Sequence, residues 1–245
     1  MARKARLVAA GMLSIALVCA GSAAAQTPTA DELVAKNLAA RGGADKLKTF
    51  NSMRLTGNVN VQGMDMPVIV STKRPNKLKQ EMTMQGQKLV QAFDGETVWA
   101  INPMMGSPTP RVLEGSAANA LKNQSLFDGP LAGYKERGDT LEVVGPADVE
   151  GAKTWKLKLT RKDGQSMHIF LDAASGLEKQ MTATMEQNGM TMEIETIMSD
   201  YQATDGIMVA RSLRTMMGGQ QVAAVTFSAV EFNLPIDDAE FAMPK

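Results

Sequence analysis

From residue 52 onward, apolar and polar residues alternate with a period of two. Met53, Leu55, Gly57, Val59 and Val61 interleave with Arg54, Thr56, Asn58 and Asn60. The same rhythm returns in Leu78-Gln80-Met82-Met84, Trp155-Leu157-Leu159, Met167-Ile169-Leu171, Met181-Ala183-Met185 and Met190-Met192-Ile194. Successive side chains of a strand point to opposite faces, so the pattern predicts half-buried strands, apolar on one face and wet on the other. Turn-forming pairs separate the runs at Asp94-Gly95, Asp163-Gly164, Ser175-Gly176, Asn188-Gly189, Asp205-Gly206 and Gly218-Gly219. Strands joined this way predict an up-and-down antiparallel meander of about ten or eleven strands.

Ahead of the strands the period is helical. Thr29-Ala-Asp-Glu32 has the form of a capping box before Leu33, Val34 and Leu38, and Gly42-Gly43 supplies the stop; this predicts one amphipathic helix, with room for a further turn over residues 44–49. A second helical candidate lies near Ser116 to Phe127, around Ala117, Ala120, Leu121 and Leu126. A sheet this long must curl, and two short helices cover only part of its apolar face. The expected fold class is therefore mainly β (α+β): a strongly curved antiparallel sheet, or half-open β-barrel, with short helices as a lid over an apolar cavity.

The N-terminus is basic over Met1-Ala-Arg-Lys-Ala-Arg6, apolar from Leu7 to Ala20, and small over Gly21-Ser-Ala-Ala-Ala25. That order predicts a secretory signal peptide over residues 1–25, cleaved after Ala25, since the apolar stretch falls short of the roughly 18 residues of a membrane span. Residues 26–245 are expected to form one domain in the periplasm. Cys19 follows Ala16-Leu17-Val18, out of register for an acylation signal, so a soluble chain without a lipid anchor is expected. No other cysteine exists, leaving no disulfide to the mature chain. Without Arg3, Lys4 and Arg6 the balance is 23 basic against 26 acidic residues, which attracts neither nucleic acid nor an anionic membrane surface. No long heptad demands a dimer, and a monomer is expected.

Composition adds one feature: 19 methionines against 4% aromatic residues. Methionine is flexible and polarizable, and suits surfaces that accept apolar ligands of varying shape. If the methionine-rich strands line the concave face, the candidate cavity residues are Met82, Met84, Trp99, Leu121, Met181, Met185, Met190 and Met192. In a tight core the same residues would be filler.

Catalytic chemistry is sparse. The single histidine, His168, falls on the polar side of its alternation, without a nucleophile to serve. One histidine and no mature cysteine argue against a zinc site. The pairs Asp148/Glu150 and Glu193/Glu195 read as solvated strand positions rather than a glycosidase pair. No phosphate-binding glycine motif opens a helix. Neither enzymatic activity nor a metal or cofactor is expected.

Lys73-Arg74-Pro75-Asn76, then Phe93-Asp94-Gly95-Glu96-Thr97-Val98-Trp99 and Asn102-Pro103, resemble the signature of the periplasmic outer-membrane lipoprotein carrier family (LolA-like), and Asp238-Ala239-Glu240-Phe241-Ala242-Met243-Pro244 is similar to its closing motif. The resemblance implies a half-open barrel whose cavity takes lipoprotein acyl chains or other lipids, between an inner-membrane donor and an outer-membrane acceptor. It also implies that Arg74 bonds the lid and holds the empty cavity shut, a task suited to a guanidinium with five donors. The alternative is an envelope-stress sensor of the same architecture that binds a protein partner.

Overall fold

The computed structural model describes residues 27–187 and 190–245, with side chains described outside 185–190. The expected signal segment, Cys19 and the Asn188-Gly189 turn lie outside the described residues. The chain opens with α1 (Ala30–Ala40) and the single turn α2 (Ala44–Leu47). A first run of strands follows: β1 (Ser52–Val61), β2 (Met64–Lys73), β3 (Lys77–Met84), β4 (Gln87–Phe93), β5 (Val98–Asn102) and β6 (Ser107–Val112). After α3 (Gly115–Gln124) and an irregular stretch comes the second: β7 (Thr140–Val149), β8 (Ala152–Thr160), β9 (Ser166–Asp172), β10 (Glu178–Gln187), β11 (Met190–Thr204), β12 (Ile207–Met217) and β13 (Gln220–Phe232).

The thirteen described strands form one curved, unclosed antiparallel sheet in the order β6-β5-β4-β3-β2-β1-β13-β12-β11-β10-β9-β8-β7. Every pair is a sequential hairpin except β1 with β13, which zips two meanders together from Met53↔Phe232 to Asn60↔Ala224. The free edges are β6 and β7, and residues 113–139 carry the chain from one to the other. This crossing segment spans the gap that keeps the barrel open.

The strand count exceeds the expected ten or eleven for two reasons. Pro108 and Pro110 in β6 and Gly145-Pro146 in β7 read as breakers, yet both strands are edges, where a missing N–H is tolerated. The hairpins at Gln62-Gly63, Gln85-Gly86 and Glu150-Gly151 turn on non-glycine residues with φ of 51–52° followed by glycine, a conformation usually signalled by asparagine or aspartate.

The capping box of α1 is complete: Thr29 Oγ1 accepts from Glu32 N at 3.3 Å, and the Glu32 carboxylate accepts from Thr29 N at 2.7 Å. Gly42, at φ 118°, lies so near the β11–β12 turn that a Cβ would stand 2.4 Å from the Gly206 carbonyl oxygen. Only glycine lets the end of α1 dock there, where Met208 N donates to Arg41 O at 3.0 Å.

The concave face is covered in patches. Leu157, Leu159, Ile169 and Leu171 pack under Leu33 of α1 and Leu131 and Tyr134 of the crossing segment. Leu78, Phe93 and Val98 pack under Ala118 and Leu121 of α3. Leu47 and Phe50 pack with Ile207, beside Phe127. Between these patches Leu55, Val59, Val68 and Phe227 lie together, flanked by partly buried Met53, Met82 and Leu213. Beyond Ile207 every residue of β12 is half-buried.

Residues 233–245 pack on the other face. Trp99 sits with Val90 and Ala92 and donates from Nε1 to Phe241 O at 2.8 Å. Asp238 meets Lys73 at 2.7 Å and Lys77 at 2.8 Å, and Glu240 meets Arg54 at 3.1 Å. The two separated parts of the family-like signature thus meet through Trp99 and Phe241.

Leu157→Ala, which opens a void in the fully covered patch, is expected to lower stability in urea by about 2–5 kcal/mol, and Met82→Ala by less than about 1.5 kcal/mol. Hydrogen bonds from Lys73 and Lys77 hold the Asp238 carboxyl down at about 2. A carboxylate depressed in the folded state stabilises above its ordinary pKa of 3.8 and loses that contribution as the pH falls toward the folded value. The indole N–H resonance of Trp99 is therefore expected to shift in that acid window, and Asp238→Asn to shift it the same way at neutral pH.

Candidate functional site

The uncovered stretch of the concave face is a cavity of about 630 Å³, within the roughly 300–1,000 Å³ of small-molecule sites. Leu55, Val59, Val68, Val70 and Met82 form one wall, and Met181, Ile194, Met198, Val209, Leu213 and Phe227 the other. Leu47, Phe127, Gly129 and Pro130 cover one end. Strand alternation places these walls: the wall residues named on one strand, such as Leu55 and Val59, Val68 and Val70, Ile194 and Met198, or Val209 and Leu213, are an even number of positions apart.

The charged residues of the lining are Arg41 and Glu178, whose side chains come within 3.9 Å. Arg41 Nη1 donates to Asp128 O at 2.5 Å. The Tyr201 hydroxyl donates to Glu178 O at 2.8 Å, and burial, reinforced by the Glu178 charge, pushes its pKa far above the usual range. Opposite charges offset each other here, and the cavity is otherwise aliphatic, thioether, aromatic and amide or hydroxyl.

Arg74 stands beside the covered end with four of its five N–H donors engaged. Nε donates to Phe50 O at 2.7 Å and Nη2 to Leu47 O at 3.0 Å, at the C-terminal end of α2. Nη1 and Nη2 also grip the Asp128 carboxylate at 2.7 and 2.5 Å, and the guanidinium lies 4.5 Å from the Phe127 ring centre. The arginine thus ties the β2–β3 turn to α2 and to the crossing segment just past α3. Gln80 Nε2 adds a bond to Gln124 Oε1 at 2.7 Å, joining the sheet to the end of α3.

The other expected site residues divide. Met82 and Met181 line the cavity. Met84 packs at the margin of the central patch, and Met192, half-buried, lies on the concave side of β11 one step outward from Ile194. Leu121 is a plug under α3 rather than a wall residue. Trp99 is not a cavity residue: Val98 faces α3, so the next side chain of the strand points to the opposite face, where Phe241 covers it. The side chains of Met185 and Met190 lie outside the described residues. Periodicity leaves Asp128, Arg41, Glu178 and the Leu213–Phe227 wall unmarked, since strand pairing brings the wall together and the docking of α1 and the crossing segment brings Arg41 to Asp128 and Glu178.

His168 is half-buried on the polar face, with Nδ1 3.5 Å from Thr182 Oγ1. Burial, with Lys156 adding to it, lowers its pKa. Asp148 bonds Lys153 and the Gly151 amide, and Glu150 is held by Arg214 at 2.6 Å.

No family model matches the sequence, and no curated protein matches it. Solved structures do. A LolA superfamily protein from Nitrosomonas europaea superposes with a TM-score of 0.59 at 13% identity, covering 88% of this chain and 98% of that one. A DUF1329 family protein from Desulfovibrio piger gives 0.55 at 12% identity, covering 88% and 98%. A domain described as outer membrane lipoprotein-sorting, from Vibrio parahaemolyticus, gives 0.54 at 10% identity, covering 85% and 97%. The fold is LolA-like.

Arg74→Leu strips the Asp128 carboxylate and two backbone carbonyls of their donors. It is expected to cost about 1–3 kcal/mol, and to speed amide exchange over residues 125–139 while β8 and β9 exchange at the wild-type rate.

Proposed function

We propose that this chain is a periplasmic carrier that binds the acyl chains of lipoproteins, or other lipids, without covalent chemistry and conveys them toward the outer membrane. The observation that carries the reading is the cavity, a long apolar space of about 630 Å³ walled by deformable side chains and free of net charge. Each methylene buried there contributes about 0.8 kcal/mol, so a dozen supply on the order of 10 kcal/mol before the cost of ordering the chain. No step in such carriage needs a nucleophile, metal or cofactor. The fold shared with a lipoprotein-sorting domain and a LolA superfamily protein, and the N-terminal pattern of a secretory signal, support the same reading. An inner-membrane donor and an outer-membrane acceptor are its natural partners.

In this reading Arg74 is the latch. Its bonds to Leu47, Phe50 and Asp128 hold the crossing segment down while the cavity is empty, and an entering chain exchanges them for apolar contacts.

Native mass spectrometry of protein purified from its own periplasm, with extraction of anything bound, tests carriage. Bound acylated lipid or peptide is the expected result. An empty protein that takes up neither fatty acid nor lipopeptide would sink the proposal in favour of a protein-binding regulator. Leu213→Glu places a carboxylate on the cavity wall, and its affinity for a fluorescent acyl probe is expected to fall by at least about tenfold with the fold intact by circular dichroism.

A further inference from the structure

The hairpin turns lie at two ends of the sheet, and the ends differ in chemistry. At one end are α1, α2, the β2–β3 turn with Lys73, Arg74 and Lys77, the β4–β5 turn with Asp94 and Glu96, and Asp205 of the β11–β12 turn. This is the end that Leu47, Phe127, Gly129 and Pro130 cover. At the other end, among the described residues, the tips of β1–β2, β3–β4, β5–β6 and β12–β13 read Gln62-Gly63-Met64, Met84-Gln85-Gly86, Met104-Met105-Gly106 and Met216-Met217-Gly218-Gly219, while the charged β8–β9 turn, Arg161-Lys162-Asp163-Gly164, stands at the same end but belongs to the lateral patch of β8 and β9. Each of these four tips sets methionine beside or near glycine, and none of the four carries an aromatic residue or an arginine.

The cavity runs toward this second end. Past its wall residues Val59, Met82, Ile194 and Thr215, the same strand faces continue as Val61, Met84, Met192 and Met217, all half-buried. Beyond them the tips expose Met64 at 46%, Met104 at 42% and Met105 at 74%. Charge is scarce at these four tips: Asp65, which accepts from Asn60 at 2.8 Å, Lys88, and Arg214, paired with Glu150 at 2.6 Å, are the ionisable residues within two positions of them.

We propose that this methionine-fringed end is the mouth of the cavity and docks on a lipid bilayer, dipping its exposed thioethers below the headgroups so that cargo passes between membrane and cavity without crossing water. The proposal deepens the carriage reading and rests on it. An acyl chain crossing water exposes every methylene, so its rapid transfer requires the mouth to touch the phase that the chain leaves. A protein donor would be recognised through aromatic and arginine anchors and matched charges, which these tips lack. Flexible uncharged side chains suit a fluid apolar layer whose shape is not fixed, and the charge-poor tips predict contact with a bilayer of either headgroup charge.

Flotation with vesicles of phosphatidylcholine, alone or with added phosphatidylglycerol, tests docking. Transfer of a fluorescent acyl lipid out of the same vesicles tests the mouth. The wild type is expected to float with both compositions, independently of salt. M64E/M105E, altered only at exposed tips, is expected to lose vesicle binding and transfer by about tenfold or more, while its affinity for a soluble short-chain acyl probe stays within about twofold of wild type. A wild type that does not float, or a double variant that transfers at the wild-type rate, overturns the proposal and leaves a protein donor as the mouth's partner. Wild type that floats, with M64E/M105E that does not, and neither taking up any acyl probe, would keep the docking face and sink the carriage reading.

Discussion

Thirteen strands curled into one sheet present more apolar surface on their concave side than three short helices can cover, and most of the remaining structure answers that mismatch. α1 with the crossing segment, and α3 alone, are spent on the two lateral patches, where Leu157, Leu159, Ile169 and Leu78 reach near-complete burial. What is left lies over β1, β2, β12 and β13, flanking the one pairing that joins the two meanders. The cavity is therefore placed where the topology has run out of cover. A packed core there would need another helix.

Leaving the barrel open creates a second demand, because an open sheet has edges that invite other strands. Both edge strands carry proline, Pro108 and Pro110 on β6 and Pro146 on β7. The crossing segment links the two edges covalently, so it can rise from the concave face without detaching from either. At its two flanks it is anchored by apolar packing, Ala118 and Leu121 on one side and Leu131 and Tyr134 on the other, whereas over the cavity end its attachments are mainly polar: Arg74 and Arg41 on Asp128, and Gln80 on Gln124. Hydrogen bonds of this kind can be exchanged for apolar contacts by a modest ligand, whereas the lateral patches, held by buried aliphatic area, cannot. In the carriage reading, opening is therefore confined to the segment over the cavity.

Much of this was legible in the sequence. Period-two alternation gave the strand faces, Asx-Gly and Gly-Gly pairs gave several turns, and the capping box placed α1 to the residue. The errors have local physical causes. Turns built on Gln62, Gln85 and Glu150 carry no conventional signal, and prolines hid the edge strands. Trp99 belongs to the opposite face from the expected cavity, because its neighbour Val98 occupies the concave one. Arg74 was found through a family-like motif, while its partner Asp128 lies 54 residues away in a segment without periodicity, and no local pattern could have joined them.

The composition acquires a physical sense once the two ends are distinguished. Aromatic residues bury much area but hold a fixed shape: Trp99, Phe50, Phe241 and Tyr134 sit in rigid patches and between sheet and C-terminal tail, and Phe127, Tyr201, Phe227 and Phe232 are the fixed points of the cavity lining. Methionine, with three rotatable bonds and no branch, concentrates along the strands that leave the cavity, where the surface must stay apolar yet conform to whatever occupies it. Charge is partitioned in the same sense around the cavity, gathered at the covered end where ion pairs such as Arg74 with Asp128 tie the crossing segment down and sparse at the four methionine-bearing tips, the charged β8–β9 turn lying to the side over its own patch. A cavity charged at its mouth would desolvate ions each time an apolar chain passed, so sparing that end of charge lowers the barrier to entry and exit alike.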